Sequence, residues 1–172
     1  MGRLSVRTAI TEAFENANLQ YVGKVHSARP EVIQEEDYER NRLGEAVESE
    51  AGSSAVLVVN LPSDDRKRRA LTGRGAVNDT NVHHVLVEVF FASSGGEAVK
   101  AQEDYDTVID AIVDFIRANP NMGNPSVVWS AGEYDAGVTH QQAAPYTDAD
   151  GLTVFISGAV SFEAFEWIAG AV

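Results

Sequence analysis

Val82–Phe91 (VHHVLVEVFF), the turn Ser93-Ser94-Gly95-Gly96 and Glu97–Arg117 (EAVKAQEDYDTVIDAIVDFIR) decide the fold of this chain. The first segment alternates as a strand does. His83, Val85, Val87, Val89 and Phe91 fall on one face and His84, Leu86, Glu88 and Phe90 on the other. The second segment has helical period. At about 100° per residue, Ala98, Ala101, Tyr105, Val108, Ile112 and Phe115 form one stripe, widened by Ile109 and Ile116. Glu103, Asp106, Asp110 and Asp114 lie opposite, and Asn119-Pro120 with Gly123-Asn124-Pro125 ends the helix. Neither element carries a recognisable catalytic group, which directs attention to surfaces.

Upstream, Ser5 is expected to cap a first helix over Val6–Asn18, with Ile10, Phe14 and Ala17 on one face. Tyr21–His26 reads as a short strand broken by Arg29-Pro30. Glu31–Ser54 is a polar, acid-rich excursion with one helical turn around Glu35–Arg40. Ala55–Leu61 is a continuous Val-rich run, the pattern of a strand buried on both faces, and Pro62 is expected to stop it. Asp64–Asp79 has no apolar periodicity and contains Gly73 and Gly75, so a basic loop is expected there. Downstream, Val127–Tyr134 and Gly137–Ala144 read as strands paired across Asp135-Ala136-Gly137. Asp148-Ala149-Asp150-Gly151 reads as a turn. Leu152–Ala164 reads as a strand with Leu152, Val154, Ile156, Val160 and Phe162 on one face. Strands joined by short turns favour antiparallel pairing. The expected fold is therefore α+β: a single domain over 1–172, one layer of mostly antiparallel sheet, with two main helices packed on one face.

A chain of 172 residues is long enough to bury a real core. It has no cysteine, which excludes disulfides and thiolate metal sites. Arg3, Arg7, Glu12 and Glu15 interrupt the apolar residues of the N-terminal stretch, so no signal peptide is expected. No apolar run approaches the roughly 18 residues of a membrane span, and a soluble protein without membrane contact is expected. The net charge is −13, from 13 Lys and Arg against 26 Asp and Glu. Five of the bases, Arg66, Lys67, Arg68, Arg69 and Arg74, stand together with no acid among them. The remaining body is still more acidic and repels nucleic acid over a Debye length of about 8 Å.

The candidate sites divide on geometry. His83-His84 cannot share one ion, because neighbours on a strand point to opposite faces. His26 and His140 have no ligand-spaced neighbours. Glu133 and Asp135 sit beside a turn, where solvation explains them better than acid–base work. Gly73-Arg74-Gly75 is too short for a phosphate-binding loop and lacks the following Lys-Ser/Thr. Ser157-Gly158 is part of a strand, with no nucleophile elbow anywhere. No catalytic, cofactor or metal site is expected. The basic cluster and the acidic stripe of Glu103, Asp106, Asp110 and Asp114 instead suit a head-to-tail contact between identical subunits, and a closed rotation of that contact makes a ring.

Three segments together have a familiar pattern. VHHVLVEVFFASSGGEAVKAQEDYDTVIDAIVDFIRANPNMG, VVWSAGEYDAGVTHQQAAPY and TVFISGAVSFEAFEWIA resemble tail terminator (tail completion) proteins of long-tailed bacteriophages. In that family a strand leads into a helix with an Ala-Gln-x-x-Tyr-Asp-like start, here Ala101, Gln102, Tyr105 and Asp106. A Gly-Glu strand and a closing amphipathic strand follow, here Gly132-Glu133 and Thr153–Phe165. The likeness covers about half of the chain; Glu31–Ser54 and Arg66–Arg74 have no counterpart in it. It implies a non-enzymatic virion protein at the tail–neck junction, present in the host cytoplasm during assembly. It implies a homohexameric ring that caps the tail tube protein, stops its polymerisation and meets the head connector or stopper. DNA would cross such an acidic ring without specific binding, since phosphates find few Lys or Arg partners. Another neck protein, a head-completion or stopper ring, is the alternative within the same class. A nucleic-acid-binding accessory protein using the basic cluster is the alternative from another.

Overall fold

The computed structural model describes residues 2–38, 41–42, 45–46, 52–70, 77–95, 97–128, 130–132 and 137–168. Of residues 35, 41–42, 45–46, 66–70, 77–79 and 167–168 it describes the backbone alone. In chain order the elements are α1 (Arg3–Asn16), β1 (Val22–His26), α2 (Glu35–Tyr38), β2 (Asn41–Arg42), β3 (Glu45–Ala46), β4 (Ser53–Ala70) and β5 (Val77–Ser94). Then follow α3 (Ala98–Ala118), β6 (Ser130–Ala131), β7 (Thr139–Gln142), β8 (Tyr146–Thr147) and β9 (Thr153–Ile168). The fold is α+β, with one open seven-stranded sheet. β1 runs parallel to β4; β4, β5 and β9 run antiparallel in that order. The short strands β8, β7 and β6 line up in succession along the far edge of β9. β2 and β3 form a separate two-stranded pair.

The centre of the sheet is built by the alternation read from the sequence. Ala55, Leu57 and Val59 of β4 pair with Phe91, Val89 and Val87 of β5, which pair with Ile156, Gly158 and Val160 of β9. These residues, Gly158 excepted, are buried in one core with Val6, Ile10 and Phe14 of α1 and with Ala101, Tyr105, Val108, Ile112 and Ile116 of α3. The two helices share this face and meet through Phe14 and Phe115, whose ring centroids are 5.0 Å apart. On the other face Val56 and Val58 are also fully buried, so β4 is enclosed on both sides as its continuous apolar run predicts. Tyr38 of α2 accepts a hydrogen bond there from the Ser54 hydroxyl. Arg29 lies over the Phe90 ring at 5.6 Å and 3.5 Å from Glu88. Part of the polar excursion thus covers that face of β4, and α2 falls inside the helical turn expected near Glu35.

Gly158 has a packing role. A Cβ there would lie 2.0 Å from the Tyr105 hydroxyl and 2.6 Å from the Gln141 carbonyl, so the missing side chain is what admits the tyrosine. Tyr105 is fully buried, stands edge-on to Phe91 and shares a 3.0 Å hydrogen bond with His140 Nε2.

Several expectations are corrected. α1 begins at Arg3, with Gly2 as its N-cap and no side-chain cap; the Ser5 amide donates to the Gly2 carbonyl. Ala98 is exposed and Phe115 only partly buried, so the apolar stripe of α3 is narrower than its periodicity suggests. Pro62 does not stop β4. Asn60 pairs with Leu86 but Ser63 with His84, so one extra residue is accommodated in a bulge at Leu61-Pro62. A proline without an N–H is tolerated at such a break in the ladder. Asp64–Asp79 is not a loop: β4 continues to Ala70 and β5 starts at Val77, with residues 71–76 outside the described set. Among the described residues, the segments Val127–Tyr134 and Gly137–Ala144 do not pair with each other. Ser130–Ala131 and Thr139–Gln142 each pair with β9, whose long edge serves both, while residues 133–136, with Glu133 and Asp135, lie outside the described set. The turn at Asp148 forms as read. Its carboxylate accepts from the Leu152 and Thr153 amides, and its pKa is lowered, chiefly by the Thr153 N–H.

Candidate functional site

Past the bulge, β4 and β5 continue as a paired arm, whose root at Thr80, Val82 and His83 is still buried. Arg66 pairs with Asn81, Lys67 with Thr80, Arg68 with Asp79 and Arg69 with Asn78. β9 extends the same way, with Glu166, Trp167 and Ile168 opposite Asn81, Thr80 and Asp79. Four of the five predicted bases therefore stand on a strand of a three-stranded extension, not on a loop. Arg74 lies outside the described residues. β1 pairs with β4 only as far as Val58, so among the described residues the outer edge of β4 from Ser63 to Ala70 has no strand partner. Arg3 donates to the Leu61 carbonyl and lies 3.3 Å from Asp64, which ties the start of the arm to α1.

The root of the arm is unusually polar for its burial. His83 and Glu166 are each 1% exposed, with His83 Nε2 3.0 Å from Glu166 Oε2, and Asn81 Nδ2 donates to the same oxygen at 3.1 Å. Taking an ionisable pair out of water is costly unless hydrogen bonds compensate, and here His83 and Asn81 of the adjoining strand both reach that oxygen. The pair joins β5 to β9 beside the buried Val82 and Phe165, which are cross-strand partners. His84 points the other way, 3.3 Å from Asp65 and 3.7 Å from Glu163. The two histidines thus lie on opposite faces, as strand alternation requires. No group of three metal-ligating side chains occurs among the described residues.

The acidic stripe of α3 is placed as read: Glu103, Asp106, Asp110 and Asp114 are all exposed. Asp106 accepts from Gln102 at 2.8 Å, and Asp114 is 4.0 Å from Arg117. Asp104, a neighbour outside the stripe, faces the sheet and accepts from the Ser53 hydroxyl at 2.5 Å. Paired Gln102 and Gln142 amides join the helix to β7. The end of α3 is level with the arm's root, since Ile116 packs on Gly132, whose amide bonds to Glu163, the partner of His84. The basic segment lies beyond that. Asp79, opposite Arg68, is five residues further along β5, about 17 Å at strand rise.

Glu166 and Asn81 do not stand out in the sequence. Their signal, a polar residue breaking apolar alternation at Phe162-x-Ala164-x-Glu166, becomes meaningful only when β9 is known to pair with β5. Comparison with known proteins adds no relative: no protein-family model matches the chain, and no curated protein does.

Proposed function

We propose that this protein is a non-enzymatic, ring-forming subunit of a phage tail–neck assembly, of the kind its likeness to tail terminators implies. In that role it caps the tail tube, halts its growth and presents a surface to the head connector or stopper. One observation carries the proposal. A three-stranded extension, whose outer edge has no strand partner among the described residues, carries four consecutive bases on a body whose exposed helix face is acidic. A basic strand segment on one copy and an acidic helix face on another can meet between copies, and a heterologous contact of that kind closes into a ring when its rotation allows.

Reversing Arg68 and Arg69 to Glu weakens self-assembly. Adding Asp110→Lys with Asp114→Lys partly restores it. Exposed ion pairs contribute about 0.2–1 kcal/mol each, so the double reversal shifts the assembly midpoint on the order of tenfold. Light scattering reads the shift, and negative-stain imaging with and without tail tubes reads ring order and location. Assembly indifferent to both sets of changes removes the contact, and a chain monomeric at every concentration removes the reading. Rings found at the head side of the neck identify a head-completion or stopper component instead. Salt-sensitive DNA binding by the isolated protein, lost in the same arginine variant, supports the nucleic-acid reading, which the acidic body opposes.

A further inference from the structure

We infer that a groove bordered by the C-terminal turns of α1 and α3 receives a basic side chain from the Arg66–Arg69 segment of a second copy of this chain. The inference rests on the assembly reading above and names where the arm lands. The groove encloses about 430 Å³. Ala13, Phe115 and Met122 give it apolar walls, while Glu12, Asn16 and Asn119 supply oxygen-bearing side chains; among the described residues none of its lining is basic. Both helices end against it, α1 at its C-cap Ala17 and α3 at its C-cap Asn119. Each helix C-terminus carries the equivalent of roughly half a negative charge, through backbone carbonyls that lack intrahelical donors. Two such ends and the Glu12 carboxylate make the groove electronegative. The one base in the last turn of α3, Arg117, is not among the lining residues and lies 4.0 Å from Asp114.

The shape of this site selects the class of cation. A divalent metal wants several carboxylates, and the groove offers one. A Lys or Arg side chain has an apolar stem and a charged head, which match the apolar walls and the negative ends. The densest supply of such side chains is the arm. The acidic stripe along α3 ends at Asp114, next to the groove residue Phe115, so an arm approaching along that helix is drawn toward the same place.

The test is Glu12→Lys in the full chain. Glu12 is exposed on α1 and Lys is as good a helix former, so folding is preserved and circular dichroism verifies it. Sedimentation velocity over a concentration series should show the assembly midpoint raised about threefold, half the free-energy effect of the double reversal. Combining Glu12→Lys with Arg68→Glu and Arg69→Glu should recover part of that loss. If Glu12→Lys assembles like the parent while Asp110→Lys with Asp114→Lys weakens assembly, the groove is not the landing site and the ring reading stands. If Glu12→Lys impairs binding to isolated tail tubes but not self-assembly, the occupant is another protein and the inference fails. A parent chain that never assembles overturns both.

Discussion

Replacing Gly158 by alanine puts a methyl group where the Tyr105 hydroxyl now sits. The added Cβ would be 2.0 Å from that oxygen, 2.6 Å from the Gln141 carbonyl and 3.2 Å from His140 Nε2. Tyr105 is fully buried and held by Phe91, and Gln141 is held in the β7–β9 ladder, so neither retreats freely. Overpacking of this kind costs about 1–3 kcal/mol. Displacing the hydroxyl also sacrifices its hydrogen bond to His140, about 1 kcal/mol. Reduced freedom of the unfolded chain returns about 0.4–1 kcal/mol. The net expectation is a loss of about 1–3 kcal/mol, or about 3–10 °C in Tm for a domain of this size. A double-mutant cycle tests the cause. Tyr105→Phe removes the clashing oxygen, so Gly158→Ala costs less in that background, with a coupling of about 1–2 kcal/mol measured by urea unfolding. If the two changes add within about 0.5 kcal/mol, the hydroxyl is not what Gly158 accommodates.

Other expectations concern the core, the arm's root and pH. Ile112→Asp buries an unpaired carboxylate under the sheet and should leave the subunit insoluble or unfolded; a parent-like melting curve would show the face assignment of α3 to be mistaken. His83→Ala takes one buried hydrogen-bond partner from Glu166 and should cost about 1–3 kcal/mol, more than the combined replacement of both residues by apolar ones; equal costs in chemical denaturation would count against a coupled pair. Burial, reinforced by Asp106, raises the Tyr105 pKa to about 12. The folded state thus favours the protonated phenol, so its contribution is whole below about pH 10 and is lost as pH rises toward 12, a decline that Tyr105→Phe should flatten. Asp37 titrates in the opposite sense. Lys24, 2.6 Å away, and the Gln34 amide hold its pKa below the ordinary carboxylate value, so its contribution is present above that value and fades as pH falls through the lowered one. Asp37→Asn should blunt the acid limb of a stability–pH profile, and an unchanged limb would contradict this.

What could be read without coordinates is what depends on local periodicity. The centre of the α3 stripe, without Ala98 and Phe115, the alternation of Val82–Phe91 and the exposed acids at 103, 106, 110 and 114 follow from it. The unbroken Ala55–Leu61 run marks a strand buried on both faces over Ala55–Val59. Burial of an apolar face is the dominant stabilising term, and it leaves a pattern of 3.6 or 2 residues in the chain itself.

The rest was decided by partners distant in sequence. The Arg66–Arg69 segment has no apolar alternation, yet it is a strand because β5, and β9 beyond it, offer a ladder of backbone hydrogen bonds that any residue but proline can join. The three strands along the outer edge of β9 were set by that edge, whose length gives more pairing than a local hairpin could. The His83–Glu166 pair and the groove between two helix ends exist only once residues about 80 to 100 positions apart are packed together. Backbone pairing and the meeting of helix termini carry no side-chain signature of their own, so composition fixes the charges of this molecule and tertiary structure alone decides where they meet.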